Sequence, residues 1–122
     1  MRKANKNVII YWVKLIFDMG TVYLMFDEEN EVCKIGATNG RVEKRLRELQ
    51  TGNSSKIHVM DIFETPNPFK IENFLHIHYR TQHKRGEWFY LTQDDMDKFQ
   101  EKCKLATEII NSLEDNPFYN RV

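Results

Sequence analysis

Apolar positions change their period along this chain, and the changes mark out its elements. Thr21-Val22-Tyr23-Leu24-Met25-Phe26 and Val32-Cys33-Lys34-Ile35-Gly36 are rich in β-branched and aromatic residues, with the polar Asp27-Glu28-Glu29-Asn30 between them. That pattern predicts a hairpin over 21–26 and 31–36, with Gly36 ending its second strand. Asn39-Gly40 is a turn signal. Val42, Leu46 and Leu49 then recur at i, i+4 and i+7, which predicts a helix over about 41–50, stopped by Gly52. The run from Ile57 to Phe63 reads as a third strand. Pro66 and Pro68 punctuate the next loop and allow a helix to start near Phe69. This helix is expected to reach about Thr81, with Ile71, Phe74, Leu75 and His78 facing inward. Lys84-Arg85-Gly86 reads as a turn and Trp88-Phe89-Tyr90-Leu91 as a short strand. Thr92 and Asp95 have the form of a capping box. A last helix over about 93–113 carries the stripe Met96, Phe99, Cys103, Ala106 and Ile110. The order β-β-α-β-α-β-α is that of an α+β domain, with a small central, mainly antiparallel sheet flanked by helices.

The ends read differently. Val8 to Phe17 is apolar but interrupted by Lys14, too short to span a bilayer, and without a small-residue cleavage site. Val8, Tyr11, Trp12 and Leu15 fit a helix face, although continuous apolar character also allows a strand. Residues 1–19 are therefore expected to form an apolar appendage, 20–113 the domain and 114–122 a loose tail. The appendage is the natural place for a homodimer or a protein partner to attach. No membrane association is expected.

Composition adds limits more than identity. A chain of 122 residues with eight Phe, five Tyr and two Trp has enough apolar material for one real core. Its two cysteines, Cys33 and Cys103, form neither a metal-type pair nor a disulfide framework, which suits a reduced, cytoplasmic setting. Eighteen basic residues balance 18 acidic ones, so the global field does not mark a nucleic-acid binder. The local field is uneven. Lys34, Arg41, Lys44, Arg45 and Arg47 face only Glu43 within 34–47, and Arg80, His83, Lys84 and Arg85 cluster without an acid. A basic face of this kind suits phosphate; an ordinary solvated surface is the alternative.

The candidate chemistry starts at the hairpin. A four-residue turn at 27–30 pairs Phe26 with Glu31, and so places Tyr23 opposite Lys34. An ammonium beside a phenol lowers its pKa, and the pair then supplies a base near neutral pH. A cross-strand surface pair is the plainer alternative. Arg45 falls about 60° from Val42 on the helical wheel, at the rim of the apolar stripe, and is poised to reach over the sheet. Its guanidinium suits a phosphate. Glu72, His76, Tyr79 and His83 follow i, i+4, i+7 and i+11 as one stripe on the next helix. A carboxylate beside a phosphate usually means a hard divalent ion. One Glu and two His are too few for a structural zinc site. His76 suits either a site role or packing. Trp88, next to Phe89, offers a platform for a base or sugar, or simply closes the core.

Taken together, these residues resemble the GIY-YIG endonuclease superfamily, and most of all its small phage- and virus-associated branch. Thr21-Val22-Tyr23 stands at the first tripeptide and Lys34-Ile35-Gly36 at the second, with Lys34 in place of the second tyrosine. Arg45 matches the helical arginine and Glu72 the metal-binding glutamate. Leu75-His76-Ile77-His78-Tyr79 and Gly86-Glu87-Trp88-Phe89 are similar to this branch in particular. The likeness covers about 20–92. Two departures are Thr21 for the first glycine and the lack of a counterpart to the late asparagine of larger members. The resemblance implies hydrolysis of a DNA phosphodiester with one divalent ion, Mg²⁺ or Mn²⁺. Tyr23 would act as general base tuned by Lys34, Arg45 would stabilise the transition state, Glu72 would hold the ion, and His76 would position water or the metal shell. Arg41, Lys44, Arg80, Lys84, Arg85 and Trp88 are the expected DNA contacts. A catalytically inactive nucleic-acid-binding module, or a protein-interaction module on the same fold, is the alternative.

Overall fold

The computed structural model describes residues 18–114. The expected appendage up to residue 17 and the tail from residue 115 lie outside the described residues. Among the described residues five strands form one sheet: β1 (Gly20–Asp27), β2 (Val32–Thr38), β3 (Ile57–Thr65), β4 (His83–Arg85) and β5 (Trp88–Phe89). Their order is β3-β1-β2-β5-β4, and every neighbouring pair is antiparallel. Among the same residues four α-helices flank the sheet: α1 (Val42–Thr51), α2 (Pro68–His78), α3 (Gln93–Asp97) and α4 (Phe99–Glu114). The expected α+β architecture is thus present. Among the described residues no helix is long and apolar enough to cross a membrane.

Alternation along β1 and β2 divides the core into two layers. Val22, Leu24, Cys33 and Ile35 point to one side, where Ile71, Leu75 and Tyr79 of the α2 region and Phe99, Cys103 and Ala106 of α4 cover them. Tyr23 and Met25 point to the other side, against Val42, Leu46 and Leu49 of α1, with Ile57 and Trp88. The central hairpin is therefore buried on both faces, which is why its apolar run is nearly continuous.

The register of that hairpin corrects the expected one. Tyr23 pairs with Gly36 and Lys34 with Met25, so Tyr23 and Lys34 are not opposite each other. Their side chains share a face on a diagonal. The loop has the expected four residues but occupies 28–31, one place later than the sequence suggested. The reason is Asp27, which is buried and closes the strand instead of opening the turn. Its carboxylate accepts from the backbone N–H groups of Glu29 (3.2 Å) and Asn30 (3.1 Å), from Asn30 Nδ2 (2.9 Å) and from Ser55 Oγ. Glu31 then takes a left-handed conformation (φ 52°), and its N–H closes on the Asp27 carbonyl at 2.9 Å.

Three further expectations are adjusted. α2 stops at His78 instead of Thr81, and a 3-10 turn (Arg80–Gln82) follows. Burial recurs at Ile71, Leu75 and Tyr79, so Tyr79 takes the inward place expected of His78, which is exposed. The proposed 72–76–79–83 stripe is broken there: Tyr79 enters the core and His83 belongs to β4. The strand expected over 88–91 shortens to Trp88–Phe89, and its partner β4 occupies the expected turn. The Tyr90 N–H goes instead to the Gln82 carbonyl at 2.8 Å. Finally, the last helix is interrupted at Lys98 (φ −94°, ψ 9°). The Thr92–Asp95 capping box is formed as expected, and Gln82 Nε2 ties Asp95 at 2.8 Å, while Phe99 is drawn into the core.

Candidate active site

Tyr23 lies at the middle of the assembly. Its side chain is 0% exposed, and the phenol lies across the Cα of its cross-strand partner Gly36. A Cβ at residue 36 would stand 2.3 Å from Tyr23 Oη, so only glycine leaves room for the ring. The hydroxyl makes no hydrogen bond of good geometry with any described residue. Burial raises its pKa above the usual 10.0, and the nearby Arg45 guanidinium pulls the other way without overcoming it. In the resting protein Tyr23 is therefore a neutral phenol.

The cation that acts on this phenol is Arg45, which corrects the expected tuning by Lys34. α1 delivers Arg45 as the helical-wheel position suggested: Val42 is buried and Leu46 packed against the sheet, so Arg45 rides the rim. Its Nη1 is also 3.0 Å from Glu48 Oε2. Lys34 is committed elsewhere. It is only 9% exposed, its Nζ lies 2.9 Å from Glu87 Oε2, and it stands 5.5 Å from the centre of the Trp88 ring.

Glu72 enters from α2, the helix on the opposite face of the sheet. Burial is the main cause that pushes its pKa up to about 7, followed by the adjoining Glu87 carboxylate; Lys34 and Arg45 oppose both. Glu87 moves the other way. Burial would raise it, but the Lys34 ammonium and the proton on Glu72 hold it below the usual carboxylate range. His76, one turn on from Glu72, is 3.8 Å from Glu72 Oε1. Its Nε2–H donates to the Ile35 carbonyl at 2.8 Å, and its ring packs on Phe89 with centroids 5.0 Å apart. That bond ties α2 to β2 and fixes how Glu72 is presented.

Arg45 and Glu72 thus act on Tyr23, and Lys34 and Arg45 act on Glu72, although these residues come from β1, β2, α1 and α2. Glu87 joins them and was not anticipated. Its place depends on the short β5–β2 pairing and on the Ile35 N–H to Glu87 carbonyl bond of 3.0 Å, which no local pattern announces. The one local signal is Gly86, whose φ of 57° turns the chain just before it.

The expected DNA contacts separate into groups. Arg41, the residue preceding α1, lines a shallow cleft with Thr21, Val59 and Ile62 over the β1–β3 side. Lys44 is exposed on α1. Lys84, Arg85 and Trp88 line a cleft of about 290 Å³ on the β4–β5 side, with Asn30, Gly52 and Asn53. Arg80 donates to the Ile77 carbonyl at 3.1 Å, a local bond at the end of α2 that does not bring it to the cluster.

The two carboxylates are hard oxygen donors, and among the described residues no group of three or more His, Cys, Asp or Glu side chains is placed to hold a metal ion. One or two carboxylates, completed by water and phosphate, suit Mg²⁺ or Mn²⁺ and do not suit structural zinc. The donor set therefore fits the ion that the resemblance implies.

The sequence pattern of the T5orf172 domain matches residues 20–104. No curated protein and no solved structure matches significantly. The match covers most of the chain, which therefore belongs to the T5orf172 domain family.

Proposed function

Starting from membership of the T5orf172 family, we propose that this chain is a GIY-YIG-type endonuclease or nickase that hydrolyses DNA phosphodiester bonds with one Mg²⁺ or Mn²⁺ ion. The observation that carries this reading is the convergence of Tyr23, Lys34, Arg45 and Glu72 from four separate elements onto one patch. A core needs no such set, and burying a phenol without a hydrogen-bond partner carries a cost.

Each group has a task. The Tyr23 hydroxyl orients the attacking water. Because the phenol starts neutral, it first gives its own proton to solvent, and Arg45 beside it stabilises that phenolate; the phenolate then takes the proton of the attacking water as the bond to phosphorus forms and returns to the neutral phenol. The exposed part of the Arg45 guanidinium also faces the negative charge that grows on the phosphate oxygens. Glu72 would hold the ion, which when bound supplies a Lewis acid for a non-bridging oxygen and for the leaving 3′ oxygen. His76 keeps α2, and with it Glu72, against β2; its Nε2 is occupied by that task. Lys34 adds positive charge at the patch. The cations on either side of the patch, Arg41 and Lys44 on one and Lys84 and Arg85 on the other, grip the flanking backbone, with Trp88 as a stacking surface.

The test is cleavage of supercoiled plasmid DNA with Mg²⁺, Mn²⁺ or a chelator. Nicked or linear product is expected with either ion and none with chelator. Tyr23→Phe, Arg45→Ala and Glu72→Ala should each lower the rate at least about 100-fold, whereas Glu29→Ala on the hairpin loop should leave it unchanged. Salt-sensitive binding without cleavage under either ion would establish the inactive binding module instead.

A further inference from the structure

We propose that the outer face of the α2–α4 layer is a docking surface, and that its occupant is this chain's own segment Val8–Phe17. The proposal goes beyond the hydrolytic reading and does not depend on it. A helix packed on one side of a sheet needs one apolar stripe, and α4 carries two. Phe99, Cys103 and Ala106 are buried in the core, and Ile110 packs against them. Leu105, Ile109 and Leu113 recur at i, i+4 and i+8 on another face, and all three are exposed. α2 repeats the pattern. Its Ile71 and Leu75 are buried, whereas Phe69 and Ile77 are each 54% exposed. Between the two helices runs a groove of about 240 Å³, with Phe74, Ile77, Ile109, Ile110 and Leu113 in its lining. The Lys70–Glu114 ion pair of 2.7 Å joins the first turn of α2 to the last residue of α4. Five of the nine exposed large apolar side chains among the described residues thus stand on this one layer. Such a concentration marks a surface that something covers.

The path of the chain points to the occupant. The described residues begin at Asp18, and Asp18 and Met19 line a cavity with Phe69 and Lys70 in the first turn of α2. Lys70 lines the apolar groove as well, so the chain enters the domain beside one end of that groove. With 11 residues, α2 is about 16 Å long. The ten residues of Val8–Phe17 reach about 15 Å as a helix and about 33 Å as a strand, enough in either form to lie along the groove. Every residue of this segment except Lys14 is apolar. The stretch after Glu114 also leaves from the groove, but Asp115, Asn116, Pro117, Asn120 and Arg121 leave it less to bury. A tethered segment meets the groove at a high effective concentration, which a second copy has to supply by association. The groove is therefore assigned to the segment of its own chain.

Trypsin cleavage after Lys14 of the full chain, followed by mass spectrometry, reads how often the segment is released. Each rate is divided by that of a free peptide carrying the same residues 8–20, which removes the effect of local sequence. Docking should slow cleavage of the wild type by about ten-fold or more. Ile109→Glu/Leu113→Glu puts two charges into the groove at exposed positions and should abolish that protection. Met60→Glu, on exposed β3, should leave it intact. Ile9→Asp/Trp12→Asp changes only the segment, so it asks the same question with the described domain untouched, and it should abolish protection too. Sedimentation equilibrium identifies the occupant, with the mass of a monomer expected for the wild type and for each variant. A wild type cleaved as fast as its peptide overturns the proposal, and so does protection that survives in either folded double variant. A wild-type dimer that Ile109→Glu/Leu113→Glu dissociates would overturn it as well, and would give this face to a second copy of the chain.

Discussion

Glu72 is the side chain whose charge state the fold alters most usefully. Its pKa is about 7 in the folded protein against an ordinary 4.5, because burial and Glu87 disfavour the carboxylate. The folded state therefore binds this proton more tightly than the unfolded chain does. The associated stability is fully present below about pH 4.5 and is lost as pH rises through 7. Discounted for the part of the side chain that meets water, the effect is roughly 1–2 kcal/mol. Glu72→Gln cannot lose that proton. Urea denaturation of metal-free protein should show the variant gaining stability on the wild type between pH 4.5 and pH 7.5. A constant difference at the two pH values would show that Glu72 ionises freely. Ion binding needs the same proton to leave, so a site that is costly in the absence of metal is what a metal-binding carboxylate should look like.

At the scale of elements, the hairpin depends on Asp27. Burial alone would raise its pKa, but hydrogen bonds from Asn30, Ser55 and the Glu29 N–H hold it at about 2. This stability is present above about pH 3.8 and is lost as pH falls toward 2. Asp27→Ala leaves the Ser55 hydroxyl and two loop N–H groups without their acceptor. It should cost about 2–3 kcal/mol in urea unfolding near pH 7. A cost under about 0.5 kcal/mol would mean that the loop sets its own register. Asp27 also shows why the sequence could be read only so far. The two strands were legible from their β-branched and aromatic runs, and so was α1 from Val42, Leu46 and Leu49. The turn residue that faces inward was not, because its partner Ser55 is 28 positions away. Register therefore came out two residues off, and with it the partner of Tyr23. Arg45 and Glu72 stand on the helices expected of them because helix periodicity fixes those places locally. Glu87 was lost because its neighbours are chosen by a two-residue strand, β5, and by an ion pair across the sheet. His78 and Tyr79 changed places because a helix end, unlike a helix middle, has no period to read.

At the scale of the whole molecule, the balance of 18 basic and 18 acidic residues leaves no global attraction for DNA, so affinity has to come from where the cations stand. Sheet order settles that arrangement. Arg41 lies over the β1–β3 side, Lys84 belongs with Arg85 to the edge strand β4, and the Tyr23–Arg45–Glu72 patch lies between them. On the proposed function, a duplex crossing the patch would meet cations on both sides of the reacting bond. If Arg41, Lys44, Lys84 and Arg85 each neutralise one phosphate, the logarithm of affinity should fall against that of salt with a slope of about −3 to −4. Lys84→Ala/Arg85→Ala should make the slope shallower by about 2, measured by fluorescence anisotropy with chelator present to prevent cleavage. Lys98→Ala/Lys104→Ala removes the same net charge from the helical layer and should leave the slope unchanged. If both double variants change it equally, affinity follows net charge and the two-sided grip is wrong. If only the first does, a neutral protein binds a polyanion through placement alone, and its strongest grip lies next to the turn that presents Glu87.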